Sequence, residues 1–279
     1  MSFLKKSTIW QLVLLLLLAG SYLLNLFEFT QSFFILAAVS FICELIDSSL
    51  GMGYGTILTS TLLLSGYEPM EIVPTLLLSE LFTGFACAYF HDQIENVDLS
   101  LRGVQMKRAL LLGISSIIGL TIGVHVAETL ASHFVIFLIG CIVILSGLFV
   151  VLLANVQIEY KNWKMFCVAI VAAFNKSISG GGYGPLVTSG QILSGIQGKS
   201  AVGITAFAEG FTCLLSVLLF TYVGEPIKSP LLFPLIFGAL TSVTFSAFLV
   251  SRFREKNFKL LVGCITMLLG SLLILKVLL

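Results

Sequence analysis

Long apolar segments follow one another along almost the whole chain, and only short polar segments separate them. A helix needs roughly 17–25 predominantly apolar residues to cross the hydrocarbon core of a bilayer, and most of these segments reach that length. We therefore predict an all-α polytopic membrane protein. The predicted helices cover residues 10–27, 33–50, 53–66, 72–90, 109–126, 134–153, 165–179, 183–195, 201–222, 233–250 and 260–278.

Two glycine-rich breaks interrupt the apolar pattern, and they resemble each other. Residues 47–55 read DSSLGMGYG, and residues 176–184 read KSISGGGYG. The tyrosines of the two breaks are 129 residues apart, and the same offset aligns Thr59 with Thr188 and Glu80-Leu-Phe-Thr83 with Glu209-Gly-Phe-Thr212. We interpret this as an internal duplication in which each copy contains a broken helix.

The short helices on both sides of each break predict hairpins, in which one helix enters the membrane and a second leaves on the same side. With the N-terminus in the cytoplasm, twelve of the 15 lysines and arginines lie in inner segments, Lys176 lies within the membrane, and Lys228 and Lys276 lie outside. This inner excess of positive charge is typical of membrane proteins. The first hairpin then enters from outside and the second from inside.

The predicted fold is therefore an inverted repeat, in which each half is a glycine-broken hairpin plus three spanning helices. Residues 1–32 form an extra N-terminal transmembrane helix and loop. Residues 33–153 form the first repeat, with its break near 47–55, and residues 154–279 form the second, inverted repeat, with its break near 176–184. Inverted repeats with broken helices are a recurrent design of secondary transporters, which bind substrate near the bilayer midplane.

Composition narrows the possible functions. The chain is 58% hydrophobic and only 10% charged, whereas a soluble domain averages about 25% charged residues. Neither break continues into the Gly-Lys-Ser/Thr of a phosphate-binding loop, and no nucleophile–base pair or metal-ligand cluster has a useful spacing. We expect no enzymatic activity, no cofactor, no bound metal and no nucleic-acid partner.

Five charged side chains are predicted to lie inside the membrane, where an unpaired charge costs about 2.5–3.5 kcal/mol or more. They are Glu44, Asp47, Glu80, Lys176 and Glu209. Lys176 aligns with Asp47 at the 129-residue offset, so these two can approach each other if the breaks meet. The four acids are candidate carriers of a coupling proton, because burial favours their protonated form.

The breaks are also candidate anion sites, because each second short helix begins with free backbone N–H groups. Glycines let the backbone approach a ligand closely, and serines add hydroxyl donors. The candidate substrate-binding residues are Ser48, Ser49, Gly51, Gly53, Tyr54, Gly55, Lys176, Ser177, Ser179, Gly180, Gly181, Gly182, Tyr183 and Gly184. These residues predict a pocket for a small oxyanion.

With these motifs the chain resembles the TauE/SafE family of anion transporters. The resemblance is carried by residues 47–55 with Pro74 and Glu80, by residues 175–185 and by residues 199–212, and it extends over about 33–276. It implies transport of a sulfur-containing anion (sulfite, thiosulfate, or a sulfonate such as sulfoacetate) across the bacterial inner membrane. The first break departs from the family pattern, because Met52 interrupts its glycines.

Other interpretations are open at this point. Four membrane acids against one lysine fit a carrier of Na⁺ or a divalent metal that uses Glu44, Asp47, Glu80 and Glu209. The serines of the breaks also fit a structural role, hydrogen-bonding to their own helices. His91 and Asp92 are expected to be solvated at a membrane boundary, because the apolar segment ends there.

Overall fold

The computed structural model describes residues 2–23, 29–153, 159–223, 230–249 and 255–278. All regular secondary structure within these ranges is helical. The helices are α1 (Ser2–Leu23), α2 (Gln31–Leu50), α3 (Tyr54–Leu64), α4 (Pro69–Gln93), α5 (Val104–Thr129), α6 (Ser132–Leu153), α7 (Asn162–Ser179), α8 (Tyr183–Leu193), α9 (Gly198–Val223), α10 (Leu232–Leu249) and α11 (Glu255–Leu278).

The membrane assignment is confirmed by the length and composition of these helices. Seven of the described helices are long and apolar enough to cross a bilayer. By contrast, α3 and α8 have 11 residues each, about 16 Å at 1.5 Å per residue, which is too short to cross. Helices α4 and α5 extend a few residues beyond the predicted segments at both ends, because polar residues continue these helices past their apolar parts.

Both predicted breaks are present, and glycine causes them in the same way. Helix α2 ends at Gly51 and α7 ends at Gly180, with φ angles of 72° and 68°. These are left-handed backbone conformations that residues with a Cβ atom rarely adopt. The N–H of Gly51 donates to the carbonyl of Asp47 at 2.6 Å, and that of Gly180 to Lys176 at 2.7 Å. The duplicated glycines thus stop two helices inside the apolar region.

The two breaks pack directly against each other. A Cβ atom added to Gly55 would collide with the carbonyl oxygen of Gly180, and one added to Gly184 would collide with that of Gly51. The hydroxyl of Thr188 donates to the same Gly51 carbonyl at 2.9 Å. Little space is therefore left between the two breaks.

Packing between helices follows a regular scheme. Helix α5 packs on α7 and α10 packs on α2, while α6 packs on α11 and α4 packs on α9. If each helix of α2–α6 is replaced by its counterpart in α7–α11, and the reverse, the same pairs of packed helices result. Glycines allow some of these close crossings, as where Gly147 of α6 meets the carbonyl of Gly263 in α11. This scheme agrees with a duplicated fold, and the inverted orientation of the halves stays a prediction.

Contacts at the helix ends agree with the predicted sidedness. Lys6 contacts Gln93, and both lie in segments that the charge distribution predicts to be inside. Lys276 donates to the carbonyl of Leu63 near the C-terminal end of α3 at 2.6 Å, and both residues are predicted to lie on the outer side. Lys228 and the adjoining residues 224–229, like residues 154–158 at the predicted boundary between the repeats, lie outside the described residues.

The additional helix α1 packs on the second half of the chain. Its Trp10 donates through Nε1 to the carbonyl of Leu240 in α10 at 3.3 Å. Gln11 donates to the carbonyl of Thr241 at 3.1 Å and to the hydroxyl of Thr244 at 2.8 Å. Helix α1 therefore lies against α10, on a different helix from those that carry the breaks.

Candidate functional site

A buried lysine and two glutamates form the centre of the candidate site. Lys176 lies in the last turn of α7 and is completely buried. Its ammonium group donates to the carboxylate of Glu209 in α9 at 2.7 Å and also to Glu80 in α4. Because α4 and α9 pack against each other beside the end of α7, one glutamate from each predicted repeat reaches the same lysine.

Asp47, which aligns with Lys176 and can approach it if the breaks meet, is not its ion-pair partner among the described residues. Within the part of the chain that the structure describes, the ion pairs of Lys176 are with Glu80 and Glu209. Asp47 instead accepts a hydrogen bond from the backbone N–H of Tyr54 at 3.2 Å. Its carboxylate therefore lies at the N-terminus of α3, where a negative charge is stabilised by the helix dipole.

Glu44 has a different environment from the other three acids. It is 3% exposed, and one of its carboxylate oxygens accepts a hydrogen bond from the hydroxyl of Ser48. The other oxygen, Oε2, has no hydrogen-bond partner among the described residues. A buried carboxylate with so little compensation is costly when it is ionised.

All four acids line one small cavity. It lies between the end of α2 and the facing sides of α4 and α9, and its volume is about 10 Å³, close to the room that one water molecule needs. Sulfite or a sulfonate is larger than a water molecule, so this conformation is closed around the acids. If all were ionised, four carboxylates against one ammonium group would leave three uncompensated negative charges.

The predicted substrate-binding residues lie in several different environments. Ser48 and Gly51 line the cavity together with the acids. The hydroxyls of Ser177 and Ser179 bond to carbonyls of their own helix, at 2.9 and 2.8 Å, as the structural interpretation expects. The hydroxyl of Ser49 is buried and has no partner among the described residues.

The tyrosines of the breaks are fully buried away from this cavity. The hydroxyl of Tyr54 hydrogen-bonds to Ser40 at 3.1 Å and to Ser79 at 2.9 Å, and that of Tyr183 to Ser116 at 3.2 Å. The structure thus places these aromatic rings as packing elements behind the breaks. Gly55 and Gly184 lie at the contact between the breaks, beside Gly181 and Met52.

Several lining residues were missed by the sequence reasoning. They come from the middle of α4 and the first half of α9, namely Thr83, Gly84, Cys87, Val202, Thr205 and Ala206. Thr83 belongs to the duplicated Glu-x-Phe-Thr segment, so the offset carried a signal for it. The others are small or apolar residues, which look like ordinary helix-packing positions in the sequence. In addition, the thiol of Cys213 contacts Glu80 at 3.8 Å.

His91 is buried, which corrects the expectation of a solvated boundary residue. Its Nδ1 lies 3.3 Å from the side-chain nitrogen of Asn96, which can only donate, so Nε2 carries the proton and donates to the carbonyl of Ser48 at 3.0 Å. The polypeptide after α4 covers it, because Val97 packs against Gly203 of α9. His91 thus bonds to a carbonyl at the end of α2.

A polar cleft lies on the predicted cytoplasmic side of His91. Its volume is about 460 Å³, and its lining includes Asn96, Asp98 and Lys199. The backbone N–H of Ser100 donates to Asp98 at 3.0 Å, and this hydrogen bond lowers the pKa of Asp98 below its ordinary value. Asn96 and His91 therefore stand between this cleft and the acid-lined cavity.

Comparison with known proteins agrees with this architecture. The sequence pattern of the family described as sulfite exporter TauE/SafE matches residues 36–273. The chain belongs to the TauE/SafE family. The match covers both breaks, Lys176 and all four acids of the site, and it makes this protein a membrane transporter and not an enzyme.

A curated relative supports the TauE/SafE assignment. The chain is 27% identical over 252 residues to the probable membrane transporter protein YtnM of Bacillus subtilis (strain 168), and the alignment covers 85% of this chain and 81% of the relative. No solved structure gives a significant match.

Proposed function

We propose that this TauE/SafE protein is a secondary transporter of a small sulfur-containing anion, in which Lys176 is the positive charge that meets the substrate. The candidate substrates are sulfite, thiosulfate and a sulfonate such as sulfoacetate. The observation that carries the proposal is the pair of contacts between Lys176 and two glutamates from corresponding positions, Glu80 and Glu209. The sulfur chemistry of the substrate rests on the family description.

The ion-pair geometry suits an exchange of partners. A buried lysine needs a negative partner, since removing one member of a buried ion pair typically costs about 3–5 kcal/mol. In the closed conformation Glu80 and Glu209 supply the negative charge. When they turn away, an oxyanion with several acceptor oxygens can take their place at the ammonium group. Lys176 then has a partner at every stage.

The cavity also fits an alternating-access mechanism. Its lining continues from Glu80 and Glu209 toward the predicted cytoplasmic side, where Gly84 and Ala206 border it. At the 129-residue offset their counterparts are Cys213 and Leu77, which pack in a hydrophobic cluster with Val73, Val124 and Phe220. Larger side chains thus fill the corresponding route on the predicted outer side. Opening to the outside requires this cluster to separate.

The transporter is a multi-pass membrane protein, and we propose the bacterial inner membrane with a cytoplasmic N-terminus as its location. The distribution of lysines and arginines supports this orientation. A substrate approaching from the cytoplasm then meets the polar cleft at Asn96 and Lys199 first. The lipid bilayer and the transported anion are the expected partners.

The proposal is tested with purified protein in liposomes, by the exchange of radiolabelled sulfite against unlabelled anions. Lys176→Met would leave two buried glutamates without a positive partner, so the decisive variant is the triple change Lys176→Met, Glu80→Gln and Glu209→Gln, which removes all three charges. We expect it to fold but to lose sulfite exchange by at least about tenfold, the equivalent of one lost charge-assisted hydrogen bond.

Lys276→Met is the matched control, because Lys276 contacts a backbone carbonyl at the outer end of α3, away from the cavity. Melting temperatures in detergent, measured with and without each anion, separate misfolding from lost binding. Wild-type rates of sulfite exchange in the folded triple variant would refute the role of Lys176. A panel with thiosulfate, sulfoacetate and sulfate identifies the substrate.

A cation carrier is the second candidate, and the unpaired oxygen of Glu44 among four acids favours it. Among the described residues, however, no group of three or more His, Cys, Asp or Glu side chains is placed to hold a metal ion. Stabilisation of the protein by Na⁺ or a divalent ion, with no effect of sulfur anions, would replace the anion proposal with this one.

A further inference from the structure

Glu44 differs from the other cavity acids in what compensates its charge. Glu80 and Glu209 contact the ammonium group of Lys176, and Asp47 accepts the backbone N–H at the start of α3. Glu44 accepts one hydroxyl, from Ser48, and its Oε2 has no hydrogen-bond partner in the described part of the chain. The Glu44 side chain is nevertheless buried, with only 3% of its surface exposed.

The groups that face Glu44 do not supply a free positive charge. The ionisable side chains around it are Cys43 and Asp47 on α2, Tyr54 on α3, Glu80, Cys87 and His91 on α4, Lys176 on α7 and Glu209 on α9. Helix α10, which packs along α2, carries no ionisable side chain. Lys176 already contacts two glutamates, and His91 donates its proton to a backbone carbonyl. An ionised Glu44 would add charge to an acidic cavity.

The surroundings fit a proton better than a metal ion. The cavity beside Glu44 has about the volume of one water molecule, and a proton needs no coordination shell of its own. The polar cleft behind His91 and Asn96 lies on the predicted cytoplasmic side and has a volume of about 460 Å³. When the segment that contains His91 moves away from Ser48, water from this cleft can reach the carboxyl group.

We infer that Glu44 binds the proton that crosses the membrane together with the anion. The step is an ordinary acid–base exchange: hydronium transfers its proton to the Glu44 carboxylate, an O–H bond forms at Oε2, and water is released. The reverse transfer returns the proton to water on the other side. This inference rests on the proposed function, since it assigns the coupling site of the same transporter. Binding an anion beside the acids then requires a neutral Glu44.

The experiment compares two transport modes of the same liposomes. Anion exchange without a gradient measures binding and movement of the anion, and accumulation driven by an imposed pH gradient measures coupling to protons. The variant is Glu44→Gln, which resembles the protonated acid in size and cannot release a proton. We expect the ratio of pH-driven accumulation to exchange to fall by at least about tenfold in this variant, because the coupling free energy is lost.

Glu68→Gln is the matched acid-to-amide control, because Glu68 lies exposed on the outer side before α4, and its ratio is expected to equal that of the wild type. Glu44→Asp keeps an acid at the position and is expected to recover part of the coupling, which separates loss of the proton site from a damaged fold. An unchanged ratio in Glu44→Gln overturns the inference, as does wild-type accumulation that follows a Na⁺ gradient instead of a pH gradient.

The two proposals fail in different ways. If the wild-type protein shows no anion exchange, the proposed function itself is wrong. If the wild type exchanges anions and Glu44→Gln has the same ratio of pH-driven accumulation to exchange, the protein is still an anion transporter and only the assignment of the coupling site is wrong. Equal loss of exchange and of pH-driven accumulation in Glu44→Gln would place Glu44 in the anion site and also overturn the inference.

Discussion

The direct contact between the two breaks leads to a sharp prediction for Gly55→Ala. Gly55 lies in the first turn of α3, and its φ angle is not among the positive values found at other glycines. Alanine is therefore compatible with the local backbone. Its Cβ atom, however, would collide with the carbonyl oxygen of Gly180 and would lie 2.6 Å from the Cα atom of Gly181. Both are backbone atoms, so no side-chain rotation relieves the overlap.

The expected destabilisation follows from this geometry. Overpacking a core by a methyl group typically costs about 1–3 kcal/mol, and the fixed carbonyl places Gly55→Ala in the upper half of that range, at about 2–3 kcal/mol. For a chain of this size, 1 kcal/mol corresponds to a melting-temperature shift of about 2–4 °C. We therefore expect a decrease of about 4–12 °C, together with slower anion exchange, because the breaks can no longer approach each other in the closed conformation.

The matched control is Gly190→Ala in the middle of α8. There the added Cβ would lie 3.6 Å from the nearest side-chain atom, which is ordinary contact, and alanine favours a helix over glycine by about 1 kcal/mol. Gly190→Ala is expected to melt at or above the wild-type temperature. Melting temperatures in detergent decide the matter: a Gly55→Ala protein as stable as the wild type would show that the breaks do not meet as described.

Two further predictions concern the tyrosine behind the first break and the hydrophobic cluster on the predicted outer side. Tyr54→Phe removes the hydrogen bonds to Ser40 and Ser79 and leaves a buried hydroxyl unpaired. It should destabilise the protein by about 1–3 kcal/mol, measured as a lower melting temperature. An unchanged melting temperature would contradict these hydrogen bonds. Leu77→Ala opens this cluster, so the buried thiol of Cys213 should react faster with a membrane-impermeant thiol reagent. The other cysteines are removed from both proteins for this comparison. Equal labelling rates with leucine and with alanine at position 77 would contradict the proposed outer route.

The positions of the two breaks could be predicted because their cause is local. A left-handed backbone at Gly51 or Gly180 and a close approach at Gly55 or Gly184 require glycine wherever they occur, so these residues are visible in the sequence. The duplication also aligns positions outside the breaks. At the offset of 129 residues, Glu80 corresponds to Glu209. Their joint contact with Lys176 agrees with that correspondence.

The partner of Lys176 could not be predicted in the same way. The alignment of the two repeats shows that Lys176 and Asp47 occupy equivalent positions. Residues at equivalent positions need not lie close together in space. In the structure the N-terminus of α3 holds Asp47, and the packing of α4 on α9 brings the glutamates to the ammonium group. His91 shows the same limit, because its burial depends on Val97, which packs on α9 from a segment with no apolar periodicity of its own.

A helical membrane protein with two glycine-broken helices and a few charges in the apolar region could be predicted from the order of the residues alone. These properties depend on hydrophobic length, backbone freedom at glycine and the cost of a charge in hydrocarbon, which are local. Three features are visible only in the folded protein. They are the choice of charges that meet, the oxygen of Glu44 that lacks a partner among the described residues, and a cavity that lies beside the breaks and not between them. Such features depend on how side chains from helices distant in the sequence fill a shared volume.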